Sequence, residues 1–364
     1  MLKITVISLL AAIQVCAQSE PSSKTHFLQM IEESEPAIEQ ALIDYQVPGL
    51  AIGVVVDGEL VYAKGFGSRD LENKLAVTAD TVFAIGSCSK AFTSFLAGTL
   101  VDEGLIAWDE RIIDIFPEFR LQDEHATLHL TMRDLLTHRS GLPRHGFMWY
   151  GSSTMTRSDV MRRLRYLEPS CDLRARYQYN DLMYLVAGCS MEKLLAKSWE
   201  DLVAERILTP LNMTNTGFTA DSMQKRANFA VPYLEKGGVL KRMMLRDISL
   251  IAPAGGLHSN VKDLARWVTL HLNGGRFGDT TLISPAALQE MHAPQTIVPG
   301  APESNESLIY TCGLGWNIVP YRGHYYISHD GGVEGYTSVV GFFPREKVGI
   351  VILSNRNLTS LPRY

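Results

Sequence analysis

Strand patterns occupy both ends of this chain while the long middle reads as helix, and that arrangement leaves few ways to close a core. Near the start, Gly49 to Val56 and Glu59 to Phe66 are separated only by Asp57-Gly58, the dipeptide best suited to a tight β-hairpin turn. Near the end, Gly313 to Val319, Tyr325 to His329, Tyr336 to Phe343 and Val348 to Leu353 read as strands, with Pro344-Arg345-Glu346-Lys347 as a hairpin loop between the last two. Helical spacing dominates between them, clearest at Met132 to Thr137, Ser158 to Tyr166, Asp181 to Ala196, Trp199 to Ile207, Val261 to Leu272 and Pro285 to Met291. The expected fold is α/β (α+β): one antiparallel sheet built from both terminal segments, flanked by helices, with a mainly helical region inserted. A cleft is expected where sheet and insertion meet.

Composition narrows the partners. The 364 residues carry a net charge of −5, and the basic cluster Arg162, Arg163, Arg165 is broken by Leu164, which argues against nucleic acid. Lys3 precedes an apolar run from Ile4 to Val15 that ends in Cys16-Ala17, the shape of a secretory signal peptide cut after Ala17 and too short to span a bilayer. The expectation is therefore an exported protein, extracellular or periplasmic, without an integral membrane segment. Residues 18–47 hold a linker and an N-terminal helix, from about Lys24 to Tyr45, that Pro36 should kink or split. Residues 48–355 form the main domain, with sheet from 48–86 and 311–355 and helices over about 87–300; residues 356–364 are a short tail. Cys88, Cys171, Cys189 and Cys312 allow three pairings once the leader is gone; Cys88 reads as a free core thiol and Cys171 with Cys189 as the candidate pair. Glycosylation sequons stand at Asn212, Asn305 and Asn357.

The chemistry is placed in Ala84 to Glu103. Val82 to Ile85 reads as a strand end, Gly86 permits a sharp turn, Ser87 suits a helix N-cap, and Phe92, Phe95, Leu96, Leu100 and Val101 return at helical spacing. Ser87 and Lys90 then lie one turn apart, the placement of a serine nucleophile with a lysine base. Ser-x-x-Lys also occurs at Ser190, Ser222 and Ser259, so spacing alone leaves open a capping serine beside a solvated lysine. Only Ser87 combines a preceding strand, a glycine and a following buried helix.

Three ordered motifs then carry a family resemblance: Ser87-Cys88-Ser89-Lys90, Tyr179-Asn180-Asp181, and His329-Asp330-Gly331 followed by Gly332. Leu135 to Leu142, Pro253 to Leu257 and Gly313 to Trp316 are similar as well. Over roughly Pro48 to Asn355 the chain resembles the serine β-lactamase-like family of class C β-lactamases, D-alanyl-D-alanine carboxypeptidases, D-aminopeptidases and related esterases. The resemblance implies a secreted hydrolase that acts on a small-molecule or peptide ester or amide through an acyl-enzyme on Ser87. Lys90 and Tyr179 would handle the proton, and the backbone N–H groups of Ser87 and Gly332 would form the oxyanion hole. His329 and Asp181 would orient the substrate, and no metal or cofactor is implied.

Two departures matter. Asp181 stands where the family usually has Asn, so an acceptor is kept, the amide donors are lost and a nearby cation is favoured. His329 stands where true β-lactamases carry Lys, which tilts the expectation toward an esterase or peptidase. Leu358 to Tyr364 is also too short for the family's terminal helix, so the expectation is either that the N-terminal helix covers that face alone or that this is a truncated product with an exposed apolar patch. The competing expectation is a catalytically weak extracellular binding or matrix protein that retains the fold. His125 and His129 stand at i, i+4 but lack the glutamate of a zinc-hydrolase motif, and no Gly-x-Ser-x-Gly occurs. His138 and His258 are read as structural.

Overall fold

The computed structural model describes residues 24–150, 154–300, 306–307, 309–357 and 359. The expected leader at 1–17, the sequon Asn305 and most of the 356–364 tail lie outside them. Asp57 and Gly58 both take positive φ, 51° and 77°, the turn their residue types favour, and join β1 (Gly49–Val56) to β2 (Glu59–Asp70). With β3 (Leu75–Ala76), β4 (Thr296–Ile297), β5 (Thr311–Cys312), β6 (Asn317–Tyr321), β7 (His324–Val333), β8 (Tyr336–Phe343) and β9 (Val348–Ser354) they form one antiparallel sheet in the order β4-β5-β6-β7-β8-β9-β1-β2-β3. The two termini meet at β1–β9, paired from Leu50 with Ser354 to Val56 with Val348.

Both strands of that seam are buried throughout, because each face of the sheet is covered. Ala51, Val55, Val351 and Leu353 point into the main core under α2 (Ser89–Asp102) and α4 (Val261–Leu272). Leu50, Ile52, Val54, Ile350 and Ile352 point the other way, onto Phe27, Ile31, Ile38 and Leu42 of α1 (Lys24–Asp44). The period of two thus sorts one strand pair between two cores. The helical insertion packs on the main core and includes α3 (Asp181–Leu195), which is buried from Asp181 to Met191.

Several local expectations are corrected. Helix α1 runs through Pro36 unbroken: Pro36 lies on its exposed side, and the preceding Glu35 is gripped by Tyr62 and Lys64 of β2, so docking outweighs one lost backbone bond. The strand expected from Gly313 to Val319 is broken by a turn. Gly315 has φ of 79°, and a Cβ there would stand 2.5 Å from Ser94 Oγ on α2. Trp199 to Ile207 begins as α-helix and widens into a π-turn at Ala204–Leu208. Cys171 and Cys189 are both free; Cys171 Sγ donates instead to Gln178 Oε1 at 2.9 Å, while Cys189 is buried on α3.

Candidate active site

Ser87 does not cap a helix. It lies in a 3-10 turn, Gly86–Cys88, ahead of α2, and neither helix start carries a side-chain cap bond. The strand before it is two residues long, Phe83–Ala84, and pairs with His258–Ser259 rather than with the main sheet. Ser89 fastens the turn: its hydroxyl donates to Gly86 O at 2.7 Å and accepts from Leu257 N at 3.0 Å. Two side chains stand beside the Ser87 hydroxyl.

One is Lys90. Its fully buried amine reaches Ser87 Oγ at 3.2 Å, Asp181 Oδ1 at 2.7 Å and the Ala254 carbonyl at 2.7 Å, which engages all three of its donors. Burial lowers the Lys90 pKa below its ordinary value, although the Asp181 carboxylate pulls the other way. Burial likewise opposes ionisation of Asp181, but the charge and hydrogen bond of Lys90, with help from Arg144, hold its carboxyl below the usual range. Asp181 opens α3 just after Asn180, whose side chain caps the helix by accepting from Leu182 N at 2.8 Å. The cation that a carboxylate here was expected to favour is supplied from within: Oδ1 faces Lys90, and Oδ2 lies 3.6 Å from Arg144.

The other is Tyr179. Its phenol neighbours Ser87, and Lys90 Nζ sits 4.7 Å from its ring centre. Burial, then the charge of Asp181, raise the phenol pKa well above its ordinary value, so Tyr179 is a neutral hydroxyl at neutral pH. His138, read as structural from sequence, packs on this ring at 4.4 Å. Its Nδ1 accepts from Asn180 N at 3.1 Å, and burial pushes its pKa well down, so it is a neutral ring that props Tyr179. His258 stays structural, buried and bordered by Gly217.

The third motif forms the opposite wall. His329 lies inside β7, not at its end. Strand β6 pairs with β7 only as far as Ser328, so from His329 onward no described strand pairs on that side. The Ser87 turn sits against it: a Cβ on Gly86 would stand 2.9 Å from Gly332 N, and one on Gly331 would stand 1.9 Å from Ile85 O. Only glycine allows this approach. A Cβ on Gly332 would meet nothing within 4 Å, so that residue borders open space. His329 Nδ1 is 2.7 Å from the Asp330 carbonyl; a carbonyl only accepts, so Nδ1 carries the hydrogen. Burial, then the Lys90 charge, push its pKa down to about 4, which leaves it neutral.

Sequence reasoning missed the Ala254 carbonyl and Arg144. Pro253 to Leu257 drew notice only by similarity, and nothing local marks a carbonyl as the partner of an amine 164 residues earlier. His125 and His129 meet edge to face with ring centres 4.4 Å apart, and among the described residues no group of three His, Cys, Asp or Glu could hold a metal ion. Nor is any described helix long and apolar enough to cross a membrane.

Residues 35–363 match the family model described as Beta-lactamase. The chain belongs to the beta-lactamase family. Among its relatives in that family are an unguisins hydrolase of Aspergillus campestris, 31% identical over 338 residues, and penicillin-binding protein 4 of Amycolatopsis lactamdurans, 27% identical over 318. The first alignment covers 90% of this chain but 61% of the fungal protein; the second covers 86% and 82%. The octameric penicillin-binding protein homologue from Pyrococcus abyssi superposes with a TM-score of 0.79 at 28% identity, over 91% of this chain and 74% of its own. The beta-lactamase family fold thus accounts for nearly the whole described chain.

Proposed function

We propose that this chain is an exported serine hydrolase that cleaves an ester or amide through an acyl-enzyme on Ser87, an esterase or peptidase rather than a true β-lactamase. The observation that carries the reading is the buried Lys90 amine 3.2 Å from Ser87 Oγ, with the Tyr179 phenol beside them. A serine hydroxyl is a poor nucleophile near neutral pH unless a base takes its proton. Burial makes Lys90 release a proton more readily than a solvated lysine, so the neutral amine can act.

In acylation, Ser87 Oγ bonds to the substrate carbonyl carbon while its proton passes to Lys90, directly or by way of the Tyr179 hydroxyl. The carbonyl oxygen takes the electron pair and faces the backbone N–H groups of Ser87 and Gly332. Collapse expels the alcohol or amine, which leaves with the proton held by Lys90. Water then repeats the sequence on the acyl-enzyme, with Lys90 as base again, and frees the acid and Ser87. The edge of β7 beyond Ser328, where β6 no longer pairs, suits a substrate laid along it as an added strand, and a neutral His329 offers it no fixed charge. The apolar N-terminal run is the reason for placing the protein in an export route.

The 2.7 Å contact between Lys90 and Asp181 favours a second reading, a catalytically weak binding or matrix protein, because a carboxylate stabilises the ammonium form. Turnover of short-chain p-nitrophenyl esters and of nitrocefin, by the full-length protein and Ser87→Ala, separates the readings. Ester turnover that exceeds nitrocefin turnover and vanishes in the variant is the expected result. Faster nitrocefin turnover would identify a true β-lactamase, and no turnover of either by folded protein would leave the binding role.

A further inference from the structure

The exposed charge beside this site is Arg144. Lys90 has its three donors engaged, and Arg246 is held by Glu334 at 2.9 Å while covering the Tyr150 ring. Arg144 is different: its side chain is 67% exposed, and among the described residues its single acidic neighbour is Asp181, at 3.6 Å. That separation exceeds a good hydrogen bond, so the forked donor set of the guanidinium remains available. The guanidinium carbon stands 5.4 Å from the centre of the Tyr179 ring, and the Lys90 amine that reaches Ser87 Oγ stands 4.7 Å from the same centre. Asp181, by contrast, is buried. The member of the pair that meets the cleft is the cation.

Its position is built into the fold. Asn180 is fully buried, and its Nδ2 donates to the carbonyls of Leu142 at 3.2 Å and Pro143 at 2.7 Å, the two residues that lead into Arg144. Gly141 takes φ of 86°, where a Cβ would stand 2.4 Å from the Cys171 carbonyl. The residue that caps α3 between Tyr179 and Asp181 therefore also ties down the backbone that carries Arg144. A planar guanidinium so placed matches the two oxygens of a carboxylate.

We infer that Arg144 is the specificity-determining residue of the cleft and binds a carboxylate that the substrate carries a few bonds from the scissile carbonyl, on the Tyr179 side. The inference rests on the hydrolase reading above and deepens it by naming the substrate class: acidic esters or amides. The carboxylate could belong to the acyl part or to the leaving group, and each source needs its own substrate pair. Glutaryl- against pentanoyl-p-nitroanilide places the charge on the acyl side. 3-Acetoxybenzoate against its methyl ester places it on the leaving group.

For at least one pair, the wild type is expected to favour the acidic member in kcat/KM by about tenfold or more, the span of a charge-assisted hydrogen bond. Arg144→Gln should bring that ratio close to one, chiefly through KM, and Arg144→Lys should restore part of it. Added salt should weaken the wild-type preference as well. A ratio near one for both pairs in the wild type, or a preference that survives in Arg144→Gln, overturns the assignment. Labelling of Ser87 by a fluorophosphonate in the same preparation keeps the two claims distinct. With Ser87 labelled, such a result removes Arg144 alone; without labelling or turnover, the hydrolase reading falls and takes the Arg144 role with it.

Discussion

Lys90→Met is expected to lower kcat/KM by roughly a thousandfold or more and to destabilise the fold by about 3–5 kcal/mol. The first effect follows from loss of the base. The second follows from what stays behind: Asp181 is 5% exposed, and with the amine gone its remaining cation is Arg144 at 3.6 Å. An uncompensated buried carboxylate is costly, whereas removal of both partners of a buried pair often is not. Lys90→Met combined with Asp181→Leu should therefore recover most of the stability and none of the activity. Urea midpoints and ester kinetics on the two variants measure both. A single variant as stable as the wild type would mean that Asp181 finds another partner or takes up a proton, and the charge account of the site would fail.

Tyr179→Phe should reduce kcat/KM by about 10²–10⁴-fold while changing stability by only about 0.5–1.5 kcal/mol, the scale of one hydrogen bond. The ring and its packing on His138 at 4.4 Å are kept, and only the hydroxyl beside Ser87 is lost. The pH profile sharpens the test. Activity requires neutral Lys90, so the rate should rise with pH through the Lys90 pKa, which burial places below its ordinary value. Because Tyr179 stays neutral, with burial raising its pKa, its removal should lower the whole profile and leave the midpoint of the acid limb near its wild-type position. A midpoint that moves to a different pH region in Tyr179→Phe would make the tyrosine, not the lysine, the titrating base.

What the sequence showed of this molecule follows the range of the interactions involved. The Asp57-Gly58 turn is a two-residue event, and both residues take the positive φ their types allow. Strands β1 and β9 were legible as short continuous apolar runs, because every position is buried between two cores. Helix α1 was placed almost to the residue, yet Pro36 misled, because the grip of β2 on Glu35 is a contact between segments far apart in the chain. Gly315 broke an expected strand for a similar reason: its backbone lies against Ser94.

The site divides the same way. Ser87 and Lys90 are three residues apart, and their meeting could be read from spacing, but the capping role given to Ser87 was wrong because Gly86–Cys88 winds as a 3-10 turn. The pairing of Lys90 with Asp181 joins residues 91 apart and reverses the role expected of Asp181, from a group facing substrate to one facing the amine. His138 has no local signal at all; its left-handed backbone and its bond from Asn180 N exist only because the two motif segments fold together.

Ser87 is the nucleophile on which the proposed chemistry turns, and intact-mass analysis after exposure to a fluorophosphonate, beside Ser87→Ala, tests that role most directly. One adduct on the wild type that is absent from the variant is the predicted result. No adduct on folded wild-type protein, or an adduct that persists in the variant, would contradict it.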